Sequence, residues 1–98
     1  MYLNRSSKKK LCRMMASNLP IFRTQLSLSQ EDMAEKLGVT RQTISAFEGG
    51  QREMPWSMFL ACLIIFLSNE STNKMLTALE IYTDQLKDFL AGEQEKSL

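Results

Sequence analysis

The 98-residue chain contains no histidine, and this absence removes the side chain that most often serves as a general base, a proton shuttle or a metal ligand. Its two cysteines, Cys12 and Cys62, lack the CxxC spacing of a zinc or redox motif. We expect both to be small buried or neutral residues of a reduced cytosolic protein. The sequence therefore predicts neither an enzyme nor a metal or cofactor site.

Glycine, proline and long apolar runs are also scarce. Only four glycines and two prolines interrupt the chain, and its β-branched residues are scattered, which favours helices over strands. The longest apolar run, MFLACLIIFL, has ten residues, about half of the ~20 that a membrane-spanning helix needs. No apolar stretch of signal-peptide length follows the basic N-terminus. We expect one all-α domain in the cytoplasm, without a membrane partner.

Positive charge is concentrated in the front of the chain. Residues 1–55 carry nine lysines and arginines against five acidic residues, whereas residues 56–98 carry three against six. This distribution allows the front to approach a polyanion and makes the rear repel one. Residues 1–17 are interpreted as a basic N-terminal arm or a short extra helix, and a solvated tail is favoured over a phosphate-contacting arm. Their basic residues are Arg5, Lys8, Lys9, Lys10 and Arg13.

Helix-capping residues and apolar spacing divide residues 18–91 into five expected helices. Asparagine, serine and threonine side chains accept the first free amide hydrogens of a helix, and glycine ends one in the left-handed conformation. The expected starts are Asn18, Ser29, Thr40, Pro55 and Ser71. The expected ends are residue 26, Gly38, Gly49 with Gly50, Leu67 and Ala91. These boundaries predict a compact bundle, followed by a tail over residues 92–98.

The fourth expected helix is apolar on nearly every side, so another element must cover it. One of its stripes consists of Leu60, Leu63, Ile64 and Leu67, and a second of Phe59, Cys62 and Phe66. The fifth helix, within residues 69–91, is expected to pack on it through Met75, Leu79, Tyr82, Leu86 and Phe89. A second interpretation is that part of this surface pairs two chains. The residues favoured for that surface are Phe59, Ile65 and Phe66.

The window from Gln30 to Gly49 has the pattern of two helices joined by a tight corner. A small residue, Ala34, stands where two helices must cross closely, and Gly38 allows the sharp turn. Apolar residues fill the angle between the helices, namely Val39, Ile44 and Phe47. This pattern predicts a helix-turn-helix.

With its flanks, this window resembles the phage-repressor and Cro type of helix-turn-helix DNA-binding protein, also called the xenobiotic response element family. The resemblance covers about Leu19 to Leu67, within a domain of residues 18–68. It rests on FRTQLSLSQEDMAEKLGVTRQTISAFEGGQREMP, whose elements follow the family's order and spacing. It implies a lambda-repressor-like bundle whose third helix, about Arg41 to Glu48, lies in the DNA major groove. The implied function is sequence-specific transcriptional regulation on double-stranded DNA, as a bacterial or phage repressor.

The resemblance also implies roles for individual residues. The positions matching the family's base-contacting face are Arg41, Gln42, Ser45 and Ala46. Arginine can donate two hydrogen bonds to guanine and glutamine matches adenine, whereas an alanine can touch only a thymine methyl group. The positions expected to contact phosphates are Gln30, Thr40, Thr43 and Arg52. DNA would repel Glu48, and Arg23 matches the family position that pairs with it, so a largely buried Arg23–Glu48 ion pair is expected.

The sequence leaves two possible kinds of protein partner, a second copy of this chain or a different protein. Operators of this family usually have two half-sites, which implies a homodimer bound to an operator. We expect repression by occlusion of promoter DNA, since no segment remains for an effector domain. The alternative is an antitoxin-type protein-interaction module that holds a protein partner with its rear half and binds DNA as autoregulation. A regulator would act as a lone homodimer, whereas an antitoxin would copurify with a second protein.

Overall fold

The structure is a computed structural model that describes residues 3–92. Most of the expected tail, residues 93–98, lies outside the described part. Within residues 3–92 every regular element is a helix, which confirms the all-α prediction. The bounds are α1 Arg5–Gln25, α2 Gln30–Leu37, α3 Arg41–Gly49, α4 Trp56–Leu67, α5 Glu70–Ala78 and α6 Asp84–Ala91.

The first helix, α1, is continuous where a basic arm and a separate helix were expected. Its N-cap is Asn4, whose side chain accepts a hydrogen bond from the amide of Ser7 at 2.8 Å. Asn18 lies inside the helix, and its side-chain amide donates to the carbonyl oxygen of Met14 at 2.8 Å. The predicted helix start at Asn18 was therefore wrong. Residues 5–17 are helical, as in the alternative of a short extra helix and unlike the favoured solvated tail, but they are continuous with the residues that follow.

The continuity of α1 follows from an apolar stripe that runs through the expected break. The buried residues of the stripe are Cys12, Met15, Ala16, Leu19 and Phe22. Their spacing of three and four residues is that of one helical face. Pro20 lies inside the helix and removes one backbone donor. Because Leu19 and Phe22 beside it are fully buried, tertiary packing outweighs that loss.

The core lies where α1, α3 and α4 meet, with α2 closing one side. The ring centroids of Phe22 on α1 and Phe66 on α4 are 4.8 Å apart. Met33, Ile44 and Phe59 are also fully buried. Burying each such side chain is worth about 1.5–3 kcal/mol, so this cluster fixes the position of α3 relative to the rest of the bundle.

The rear of the chain forms two helices, α5 and α6, where one helix over residues 71–91 was expected. Glu80 adopts a left-handed conformation with φ 61°, and the amide of Ile81 donates back to the carbonyl oxygen of Leu76 at 2.9 Å. This turn lets Ile81 enter the core, where it is fully buried. Thr83 then caps α6. Residues 3–92 thus form six helices, and Leu76, Ile81 and Leu86 are fully buried in this rear part. Of the expected stripe, Leu86 is buried, Met75, Tyr82 and Phe89 are half-buried against the core, and Leu79 is exposed.

The apolar helix α4 is fully buried along one face and half-buried over much of the rest. The face made of Phe59, Cys62, Leu63 and Phe66 is buried, so the expectation that Phe59 and Phe66 provide a pairing surface was wrong. Ile64 on the opposite side remains 67% exposed. A buried hydroxyl joins α4 to α5, since Thr72 donates to the carbonyl oxygen of Phe66 at 2.6 Å. No helix of the described range is long and apolar enough to cross a membrane.

Candidate nucleic-acid interface

The first half of the candidate interface is α2, whose start is fixed by a capping box. The Ser29 side chain accepts from the amide of Asp32 at 2.9 Å, and the Asp32 carboxylate accepts from the amide of Ser29 at 3.0 Å. Hydrogen bonds to the Asp32 carboxylate, first from the Ser29 backbone amide and then from the Ser29 side chain, lower the pKa of Asp32 below its ordinary value. The negative charge of Asp32 lies in the first turn of α2, where it interacts favourably with the positive end of the helix dipole.

A tight corner joins α2 to α3. Gly38 ends α2 with φ 74°, a left-handed conformation that costs little only for glycine. The amide of Val39 then donates back to the carbonyl oxygen of Ala34 at 3.0 Å. Thr40 caps α3 by accepting from the amide of Thr43 at 3.2 Å. Each of these residues lies where the sequence pattern placed it, and together they form the helix-turn-helix corner.

One face of α3 is packed against the core and the other is open. Ile44 and Phe47 are buried. The open side carries the expected base-contacting residues, of which Arg41, Gln42 and Ser45 are exposed and Ala46 is half-buried. The corner therefore presents an arginine and a glutamine in the first turn of a helix, with a serine one turn further on.

The carboxylate at the end of α3 is held by an arginine from α1. Arg23 Nε donates to Glu48 Oε2 at 2.6 Å, and Arg23 Nη2 donates to Glu48 Oε1 at 3.1 Å. A third donation, from Arg23 Nη1 to the carbonyl oxygen of Leu28 at 2.9 Å, ties this arginine to the segment before α2. Both charged side chains are largely buried, at 14% and 8% exposed. This two-pronged geometry is the strong form of an ion pair.

Gln30 extends this network to the open face of α3. Its Nε2 donates to Glu48 Oε1 at 2.9 Å, and its Oε1 accepts from Arg41 Nη1 at 3.2 Å. For Gln30 the sequence predicted a phosphate contact and neither of these bonds. No local signal marks them, because they depend on how α2 and α3 are placed relative to each other. The result is a chain of hydrogen bonds that begins at buried Arg23 and ends at exposed Arg41.

The other expected phosphate-contacting residues form a second group. The hydroxyl groups of Thr40 and Thr43 are 3.0 Å apart. Arg52 lies next to them, with its Nη1 at 3.5 Å from Thr43 Oγ1 and its guanidinium 5.5 Å from the ring centroid of Phe47. Phe47 thus supports an exposed arginine beside two hydroxyl groups, an arrangement suited to anionic oxygens.

The two cysteines take no part in this network. Both are free and buried. Burial, followed by the nearby Cys12, raises the pKa of the Cys62 thiol to about 12, and burial followed by the charge of Glu53 raises the pKa of Cys12. Both thiols are therefore protonated at neutral pH, which makes them unreactive.

Comparison with known proteins places this geometry in a family. A family model described as a helix-turn-helix domain matches residues 18–95. An uncharacterised HTH-type transcriptional regulator of Bacillus subtilis (strain 168), YqaE, is 32% identical over 84 residues, which cover 79% of this chain and 67% of the relative. No solved structure gives a significant match to the chain.

Two further relatives match shorter segments at higher identity. The uncharacterised HTH-type transcriptional regulator MJ0272 of Methanocaldococcus jannaschii is 51% identical over 37 residues, or 38% of this chain and 56% of the relative. An uncharacterised HTH-type transcriptional regulator of Methanothermobacter thermautotrophicus is 59% identical over 29 residues, or 30% of this chain and 42% of the relative. In both relatives the identity is higher than in YqaE but extends over less than half of this chain.

Proposed function

The chain belongs to the helix-turn-helix domain family, and from that premise we propose that it regulates transcription as a sequence-specific repressor that binds double-stranded operator DNA. The observation that carries this proposal is the chain of hydrogen bonds from Arg23 through Glu48 and Gln30 to Arg41. It orients an exposed guanidinium at the start of α3 through one hydrogen bond to Gln30. Holding a reading side chain in place before DNA arrives reduces the entropy lost on binding.

The proposed reading residues lie along the open face of α3. Arg41 donates to O6 and N7 of a guanine, and Gln42 pairs with N6 and N7 of an adenine, each contact discriminating between bases by about 1–3 kcal/mol. Ser45 follows one turn later, and Ala46 offers only its methyl group to a thymine. Specificity is therefore concentrated at the first turn of the helix.

The proposed positioning residues surround the reading face. Gln30 at the start of α2 and Arg52 after α3 bracket it, and Thr40 with Thr43 supplies hydroxyl groups between them. These side chains bind phosphates and set the depth and angle of α3 in the groove without reading sequence. Because Gln30 also contacts Arg41, it has a second effect, on the orientation of the reading arginine.

We propose that the regulator acts as a homodimer. One domain offers a small DNA interface, and two domains spaced by one helical turn, about 34 Å, read two half-sites of a symmetric operator. The surface proposed for pairing is the uncovered stripe of α4, where Ile64 is 67% exposed between half-buried Leu60 and Leu67. A dimer seated on promoter DNA represses by excluding the polymerase.

The proposed function is tested by selecting bound sequences from random duplex DNA with the wild type, Arg41→Ala and a control, Lys36→Ala. Lys36 is an exposed cation on α2 outside the reading face. We expect a defined consensus for wild type and Lys36→Ala, and loss of preference at one or two positions per half-site for Arg41→Ala, because Arg41 reads bases and Lys36 does not. An identical consensus from Arg41→Ala removes this residue from the reading set, and the absence of any consensus refutes sequence-specific binding.

A further inference from the structure

A cavity of about 810 Å³ lies between the N-terminal half of α1 and the segment that joins α3 to α4. One wall is formed by residues 3–17, which precede the region matched by the family model, residues 18–95. The opposite wall is formed by residues 47–56. Small-molecule sites in proteins typically enclose about 300–1,000 Å³, so this space is large enough for a ligand.

The cavity has an apolar base that is already formed. Cys12, Phe47 and Met54 are buried there, and half-buried Trp56 lines the space beside them. The indole of Trp56 is stacked on Phe59, with ring centroids 4.8 Å apart and an interplanar angle of 11°. A packed base of this kind accepts an apolar group without first rearranging.

The rim of the cavity is basic. The exposed cations on it are Arg5, Lys9, Arg13 and Arg52. Within residues 3–92 none of them forms an ion pair with a carboxylate. Of the two acidic residues in the lining, Glu48 is already paired with Arg23, which leaves Glu53 alone. Lys8 is also engaged, since its Nζ lies 5.4 Å from the ring centroid of Trp56 and 5.1 Å from that of Phe89.

We propose that this cavity is a binding site for a small amphipathic anion, with its apolar body against Trp56 and its acidic group among the rim cations Lys9, Arg13 and Arg52. The regulatory consequence rests on the proposed DNA-binding function. Because Arg52 belongs both to the cavity rim and to the proposed phosphate contacts, a bound anion and DNA compete for it. The ligand then acts as an inducer that releases the operator.

The test uses two probes of the same aromatic frame, 8-anilinonaphthalene-1-sulfonate and N-phenyl-1-naphthylamine, which lacks the sulfonate. Trp56 is the single tryptophan of the chain and lines the cavity, so quenching of its emission provides the binding signal. We expect the sulfonate to quench Trp56 saturably and to bind about tenfold more tightly than the neutral probe, as one charge-assisted contact predicts. This titration contains no DNA, so its result is independent of the proposed function.

Two double variants locate the charge effect. Lys9→Gln/Arg13→Gln removes two rim cations, whereas Lys10→Gln/Lys36→Gln removes the same charge from exposed positions outside the lining. We expect the first pair to weaken sulfonate binding about tenfold while leaving the neutral probe unchanged, and the control pair to change neither. Equal affinity for both probes, or equal losses in both variants, overturns the proposed site. Sulfonate binding to the free protein without release of bound operator overturns the inducer role.

Discussion

At the scale of single residues, the candidate interface depends on Glu48. Its carboxylate accepts hydrogen bonds from Arg23 and Gln30, and Gln30 in turn accepts one from Arg41. A carboxylate so close to a DNA-facing surface repels phosphates unless it is neutralised. Arg23 supplies that neutralisation from inside the protein, so the same contact stabilises the fold and makes the surface suitable for DNA.

The Arg23–Glu48 pair gives a prediction about stability. Arg23→Met alone strands a largely buried carboxylate and should lower the free energy of unfolding by about 3–5 kcal/mol. Adding Glu48→Leu removes the stranded charge, so the double variant should be more stable than Arg23→Met alone. Urea denaturation of the wild type, both single variants and the double variant measures the coupling between the two residues.

An exposed ion pair provides the control for this measurement. Lys74 Nζ lies 3.5 Å from Glu70 Oε2, and both side chains are more than three-quarters exposed. Lys74→Met should change the free energy of unfolding by no more than about 0.5 kcal/mol. If the Arg23→Met and Glu48→Leu losses simply add in the double variant, the pair is not coupled and the stranded-charge argument fails.

The residues of the site were not equally predictable from the sequence. The contact of Arg23 with Glu48 followed from the family resemblance and from the electrostatic problem that a carboxylate creates beside DNA. The two bonds of Gln30 did not follow, because they require the distance between the starts of α2 and α3. The basic rim of the cavity was missed because Lys9 and Arg13 were interpreted as a solvated tail.

At the scale of helices, local signals predicted the middle of the chain better than its ends. The boundaries of α2 and α3 are set by capping groups within a few residues, such as the Ser29 capping box and left-handed Gly38. The length of α1 and the break between α5 and α6 are set by burial in the core. The apolar stripe from Cys12 to Phe22 was the available sign that α1 continues through Asn18 and Pro20.

The observed start of α1 gives a second prediction, which compares Asn4, the observed N-cap, with Asn18, the N-cap expected from the sequence. Asn4→Ala removes the cap of α1 and should cost about 1 kcal/mol, whereas Asn18→Ala replaces a mid-helix residue with a better helix former and should be nearly neutral. Thermal unfolding compares the two variants, and hydrogen exchange at the amide of Ser7 should accelerate only in Asn4→Ala. A large loss for Asn18→Ala with none for Asn4→Ala would mean that the helix starts at residue 18.

At the scale of the whole molecule, the basic and the acidic halves of the chain form different helices of the bundle. The basic first half contributes α1, α2 and α3, which surround the candidate DNA interface and the cavity. The acidic rear half contributes α4, α5 and α6, where α4 leaves Ile64 uncovered. A polyanion such as DNA is attracted by the first half and repelled by the second. The exposed stripe around Ile64 on α4 therefore belongs to the half of the chain that DNA repels.

The stripe on α4 gives the last prediction, which concerns self-association. Ile64→Gln should shift the protein from dimer to monomer in sedimentation experiments and weaken binding to a two-half-site operator more than to a single half-site, because pairing supplies the second contact. Ile21→Gln is the matched control, since Ile21 is a 54% exposed isoleucine on α1. It should leave both measurements unchanged. Dissociation by Ile21→Gln instead would move the interface to α1, and a wild type that stays monomeric on its operator would refute the homodimer itself.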